Sequence, residues 1–336
     1  MPRRLFRAAA ALAVALAATQ GAAAASASAP ATAPAAASAA VLYAYVPNAI
    51  SRDVTVINLD TRSVAATITT GGEPLGAVVS PSGRYAYVIA DAVFVIDAST
   101  LTIKRKFTEN VGSAEGIAIT PDGKGLYIAG GVHTLKELNA YSGAVIATAT
   151  TGTYPEPLAV SSDGSRVYVG NYGDGTIQVF TADLSGQPAT ISGMSGPTRL
   201  VLTPDGKTLY VANSLSHYVT AIDTATDAVI ATIPTYGRPS GLSISPDGTT
   251  VYVATRSGHA SSVQAISVAR NHVVDTYPVG ADTDAVALTP SGDIGVAVVA
   301  GAGQAVVFTT RGKKVRATLP TGAGPEAVAI GRYRLG

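Results

Sequence analysis

Leu202-Thr203-Pro204-Asp205-Gly206-Lys207-Thr208-Leu209-Tyr210-Val211-Ala212-Asn213 reads as the end of one apolar strand, a tight turn and a second strand. Proline presets φ for the first central turn position, Asp bonds back to nearby backbone, and Gly enters positive φ without a Cβ clash. The unit is a β-hairpin, and the chain repeats it. Ser80-Pro81-Ser82-Gly83, Thr120-Pro121-Asp122-Gly123, Ser161-Ser162-Asp163-Gly164, Ser245-Pro246-Asp247-Gly248 and Thr289-Pro290-Ser291-Gly292 are the other copies. Their glycines fall 40, 41, 42, 42 and 44 residues apart, the range of solenoids, propellers and arrays.

Each repeat holds four short apolar segments. Around the quoted stretch they are Thr198 to Leu202, Thr208 to Ala212, Tyr218 to Asp223 and Ala228 to Ile233. Their alternation and β-branched content predict strands, and no stretch of eleven or more residues carries a helical period, which excludes βαβ units. Four strands per repeat predict an antiparallel meander. The second strand carries Tyr45-Val46, Tyr87-Val88, Tyr127-Ile128, Tyr168-Val169, Tyr210-Val211 and Tyr252-Val253, with Val296 at the tyrosine position of the last copy. An aromatic in one register per blade packs adjacent sheets together, so none of these tyrosines is assigned a catalytic role.

These motifs resemble the YVTN family of bacterial and archaeal β-propeller repeats. Tyr45-Val46-Pro47-Asn48 and Tyr210-Val211-Ala212-Asn213 carry the resemblance, with third strands such as Val56-Ile57-Asn58, Val95-Ile96-Asp97 and Ala221-Ile222-Asp223, over nearly all of residues 41 to 334. The absence of tryptophan separates the chain from WD repeats. No inner strand precedes the first Tyr-Val pair, whereas a spare one, Glu326-Ala327-Val328-Ala329-Ile330, follows the last repeat. The expected fold is therefore all-β: a seven-bladed β-propeller of four-stranded antiparallel blades, its ring closed by the C-terminal strand joining the first blade.

The first residues differ from the rest. Arg3, Arg4 and Arg7 precede an Ala/Leu/Val run from Ala8 to Ala18 and then small-residue sites such as Ala25-Ser26-Ala27. This predicts a secretory signal peptide over residues 1–27, of the general export type with a twin-arginine signal as the alternative. An Ala/Pro-rich linker then covers residues 28–40 and the propeller residues 41–336. The expected location is secreted or extracytoplasmic. With no cysteine there are no disulfides, thiolate metal sites or lipidated cysteine. No apolar run after the leader is long enough for a membrane anchor.

The full chain has 23 basic and 22 acidic side chains; without the three leader arginines the balance is 20 to 22. That is a poor platform for phosphate backbones, so no nucleic-acid partner is expected. Lys104-Arg105-Lys106 and Lys313-Lys314-Val315-Arg316 fall at the expected outermost strands, where lysine blocks edge-to-edge pairing and favours a monomer.

In a meander the A-to-B and C-to-D turns share one face, and the longer B-to-C and D-to-A connections share the other. Function usually resides on variable loops held by a rigid scaffold. On that face the inner strands bring one residue per blade to the channel mouth: Glu326, Leu75, Glu115, Glu156, Thr198, Ser240 and Asp284 for blades one to seven. Arg199, Arg238 and Asp282 lie beside them, making a polar, mainly acidic funnel that suits ligand or partner contact. His133, His217 and His259 fall in B-to-C loops, and His217 and His259 in adjacent blades form a candidate divalent-metal pair with Asp282 and Asp284. No other cofactor is assigned, and no phosphate-cradling loop, Gly-x-Ser-x-Gly elbow or His-Glu-x-x-His occurs.

Glu137 replaces an aliphatic residue in the third strand of blade three. Either the strand bulges there and exposes it, or a buried carboxylate finds a partner such as His133. The resemblance implies extracytoplasmic roles but no single activity. The expected function is a binding module for a protein, glycan or small molecule; the alternative is a metal-assisted lyase or hydrolase, like the streptogramin lyases or lactonases on related propellers. A structural envelope protein is a third option.

Overall fold

At the quoted turn the computed structural model ties each polar group as the sequence pattern requires. Thr203 Oγ1 donates to Asp205 Oδ1 (2.6 Å), Lys207 N to the same carboxylate (3.1 Å), and Thr208 N to Thr203 Oγ1 (3.0 Å). Gly206, at φ 71°, donates its N–H to Thr203 O (2.8 Å). The same side-chain ring recurs at Asp122, Asp163 and Asp247. A closed polar turn fixes the register of the two strands it joins.

The structure describes residues 40–108, 111, 114–131, 133–257 and 263–334. They form seven four-stranded antiparallel sheets, here blades 1 to 7 with strands A to D from the axis outward. The quoted stretch supplies strands A (Pro197–Leu202) and B (Thr208–Asn213) of blade 5, followed by C (Tyr218–Asp223) and D (Ala228–Pro234). Strand A of each blade packs beside strand A of the next, and the sequence runs around the ring. Among the described residues no helix is long and apolar enough to cross a membrane. The expected leader and most of the linker lie outside the described residues.

The ring closes as the spare strand predicts. Strand A of blade 1 is Ala329–Arg334, pairing antiparallel with strand B, Ala40–Asn48, from Ala40↔Arg334 to Tyr45↔Ala329. The last described residues thus sit inside the first blade. Strand B begins at the turn face and ends at the loop face, so residues 40 and 334 are partners at the turn face.

The core lies between blades. Tyr45, Tyr127, Tyr168 and Tyr210 are at most 1% exposed, and Tyr87 and Tyr252 are nearly as buried. Each packs with aliphatics of a neighbouring sheet, as Tyr210 does with Val251 and Val253, and Tyr127 Oη donates to Ala182 O (2.6 Å). In blade 7, where Val296 replaces the tyrosine, Phe308 of strand C (Gln304–Thr309) brings aromatic volume, its ring 5.3 Å from that of Tyr277. Gly295 leaves it room, since a Cβ there would overlap the Phe308 ring.

For Glu137 neither expectation holds as stated: the strand bulges, as it does at this register in five other blades, but the carboxylate is not exposed. The C–D ladder of blade 3 slips between Glu137 and Leu138. The carboxylate is half-buried against Gly125, whose missing side chain leaves it space. His133 is not its partner: the imidazole is exposed, with Nδ1 3.0 Å from Gly152 O. Lys104, Arg105 and Lys106 lie on strand D of blade 2 (Thr102–Phe107), where Lys106 pairs with Asp91 (3.6 Å) and Arg105 lies over the Tyr141 ring. Lys313 and Lys314 fall in the turn before strand D of blade 7 (Val315–Pro320), and Lys313 pairs with Asp275 of blade 6.

Candidate functional site

One backbone feature sets the mouth residues apart. In blades 3 to 7 the A–B ladder slips at its loop-face end, between Ala114 and Gly116, Pro155 and Leu158, Pro197 and Arg199, Pro239 and Gly241, and Thr283 and Ala285. The residues skipped include Glu115, Glu156, Thr198, Ser240 and Asp284. Blade 1 skips similarly: Pro325 bridges to Asn48 and Glu326 N donates to Pro47 O (3.0 Å), before pairing resumes at Ala329. A bulge frees one residue from the ladder and re-aims its side chain, a device common at rims and sites.

The next residue lines the lumen and is small or glycine almost everywhere: Gly76, Gly116, Gly241, Ala285 and Ala327. At Gly116 a Cβ would overlap the backbone oxygen of Glu156. Only blades 4 and 5 break this pattern, with Pro157 and Arg199. Arg199 turns across the lumen. Its Nη1 donates to Thr198 O (2.9 Å) and its Nη2 to the backbone oxygen of Glu326 (3.3 Å), on the opposite side of the ring.

The arginine divides the interior. On the loop-face side is a cavity of about 360 Å³, lined by Glu156, Tyr172, Arg199, Leu215, Arg238, Arg256, Asp284 and Glu326 among others. Beneath is a chamber of about 300 Å³, also lined by Arg199 and Glu156, with Glu115 and aliphatics such as Leu200 and Val286. Seven of the residues expected at the mouth, Glu156, Thr198, Arg199, Arg238, Ser240, Asp284 and Glu326, thus share one cavity, while Leu75 and Glu115 belong to the chamber. Asp282 is exposed at φ 55° in the loop before blade 7 and lines neither.

Arg256 is the main residue that sequence reading missed. It ends strand B of blade 6 (Thr250–Arg256), and its Nε forms an ion pair with Asp284, which is 4% exposed. Register could have found it. Tyr172, Ser214 and Arg256 each follow the Asn or Thr that closes the Tyr-Val motif, and all three line the cavity. The Asn itself is structural: Asn213 is fully buried, donating to Thr220 Oγ1 (2.9 Å) and accepting from Ser195 N (2.8 Å).

Burial governs the electrostatics of the mouth. Desolvation pushes Glu156 up to about 7, reinforced by the charge of Glu115 and opposed by Arg199. Glu115 faces the lumen, yet the walls remove enough water to raise its carboxyl too. Desolvation likewise raises Asp284 and Glu326, against the pull of Arg256 and Arg199. The funnel is therefore less negative at neutral pH than its composition suggests.

For Glu156 the sign follows directly. A carboxyl with a folded pKa above its unfolded one contributes stability below about pH 4.5, lost as pH rises through about 7. Glu156→Gln should then be more stable than wild type at pH 8, by about 1 to 2 kcal/mol once lumen water is discounted, with the gap closing by pH 5. Chemical unfolding of both proteins at the two pH values measures this; an equal gap at both would reject it.

His217 is exposed on its loop and does not line the cavity. His259 lies outside the described residues. Among the described residues no group of three His, Cys, Asp or Glu is placed to hold a metal ion.

Residues 132–259 match the family profile described as YNCE-like beta-propeller. Among solved structures, hydrazine synthase of Kuenenia stuttgartiensis is similar at TM-score 0.67 and 20% identity, over 78% of this chain and 96% of that one. A functionally unknown protein from Desulfotomaculum acetoxidans DSM 771 gives TM-score 0.73 and 19% identity, over 86% of this chain and 98% of that one. At such identities the likeness is one of fold alone. No curated protein sequence matches the chain.

Proposed function

Starting from a chain that is a seven-bladed propeller of the YVTN repeat type, we propose that it is an extracytoplasmic binding module whose ligand enters the loop-face mouth. The observation that carries this reading is the cavity of about 360 Å³, which sets three arginines and three carboxylates beside Tyr172 and Leu215. Concave sites with apolar walls and a few convergent polar groups are the usual form of a small-molecule site. The polar groups sit at the loop-face ends of strands A and B, fixed by ladder pairing, the bulges and the Arg256–Asp284 ion pair. The leader-like residues 1–27 support export.

A metal-assisted lyase or hydrolase on this face is less well supported, because His217 is exposed and does not line the cavity. The test is ligand-observed NMR on the full chain with a mixed library of neutral sugars, amines and carboxylic acids. Leu215 is 54% exposed and Tyr141, on the turn face, 71% exposed, so both tolerate substitution. Binding lost in Leu215→Arg but kept in Tyr141→Ala is the expected result. A library that yields no binder, or binders indifferent to Leu215→Arg, would overturn the reading.

A further inference from the structure

Two arginines of blade 6 face each other across one ladder rung: Arg238 opens strand A (Arg238–Ile244) and is the direct partner of Arg256 at the end of strand B. Like charges directly opposite on a sheet repel. Asp284 offsets Arg256 through its ion pair. Arg238 has no such relief: it is exposed at the cavity wall, and among the described residues it makes no ion pair. Among the described residues the rung carries two guanidiniums and one paired carboxylate, which leaves room for a second anion.

From this rung we infer that the mouth site takes a small organic monocarboxylate, its carboxylate seated at Arg238 and Arg256 and its apolar body against Tyr172 and Leu215; this rests on the mouth being the ligand site. Charge argues for one negative unit. The cavity holds three arginines against Asp284, Glu326 and Glu156, and burial keeps Glu156 partly protonated near neutrality. A dianion would meet those carboxylates. A monoanion matches Arg238, the cavity guanidinium that has neither an ion pair nor the backbone acceptors of Arg199 among the described residues, and a guanidinium binds a carboxylate through two parallel N–H donors. Across the cavity, Tyr172 and Leu215 pack against the space that a Cβ on Gly196 would fill, so they form one continuous apolar wall.

The test compares 3-phenylpropionate, its neutral amide 3-phenylpropionamide, and phenyl phosphate, by titration calorimetry and saturation-transfer NMR on the full chain at low chloride. The carboxylate should bind wild type about tenfold or more tightly than the amide. Arg238→Gln should bring the two to parity without lowering the melting temperature, because it removes a charge opposed by Arg256 and, among the described residues, Arg238 makes no ion pair. Parity already in the wild type overturns the anion assignment while leaving mouth binding intact. Tighter binding of phenyl phosphate overturns the monocarboxylate class. Failure of all three probes overturns the inference as a whole, and the library experiment on Leu215→Arg separately decides whether the mouth binds anything.

Discussion

A chain ending at Gly324 should lose cooperative unfolding at the full-length melting temperature. Such a chain lacks strand A of blade 1, whose six rungs with Ala40 to Tyr45 are the main hydrogen-bonded overlap between the two ends of the described ring. It also loses Tyr333, 7% exposed, and Val328 and Ile330, which pack on the core shared by blades 7 and 1. Burying one large apolar side chain contributes about 1.5 to 3 kcal/mol, less when burial is partial, and each ladder hydrogen bond about 0.5 to 1.5. The total loss is on the order of 5 kcal/mol or more, comparable with the whole stability of a typical domain. Circular dichroism melts of the two chains measure it. An unshifted, equally sharp transition would mean that closure contributes nothing.

The second large effect is expected at Gly83. In blades 3 to 7 the turn glycine rests against the A–B turn of the preceding blade: Gly123 against Pro81, Gly164 against Pro121, Gly206 against Ser162, Gly248 against Pro204 and Gly292 against Pro246. Blade 1 has no A–B turn, because there the chain is open, and Gly83 meets the backbone of the closing strand instead. A Cβ on Gly83 would overlap the Arg332 carbonyl oxygen. Both glycines have φ above 70°, 72° at Gly83 and 73° at Gly164, so alanine is strained at either.

Gly164→Ala should therefore cost about 1 kcal/mol, the positive φ alone. Gly83→Ala adds a backbone collision that must push the closing strand aside, and should cost about 3 kcal/mol or more. Urea unfolding of the pair isolates the closure from the turn. Equal losses would show that the closing strand yields freely.

Much of this fold was readable because its information is local and repeated. A turn such as Thr203 to Gly206 satisfies itself within a few residues, and the spare strand at the C-terminus had only one partner left. The mouth was read less completely. Aligning inner strands picked out Glu156, Asp284 and Glu326, since the same bulge frees one register position in six of the seven blades. Arg256 was missed because it ends a different strand, and its importance rests on a contact with Asp284, 28 residues away. The funnel also appeared more acidic than it is, because desolvation depends on walls contributed by five blades. The role of Arg199 was legible in principle: among residues that are small or glycine in most blades, it alone is long and charged.

The rung between Ala40 and Arg334 has a geometric consequence. Both ends of the folded body leave from the face opposite the mouth, side by side. A link made at residue 40 or 334 therefore starts on one pole, and the proposed mouth opens on the other. An attachment made through either of those residues would leave the mouth unobstructed.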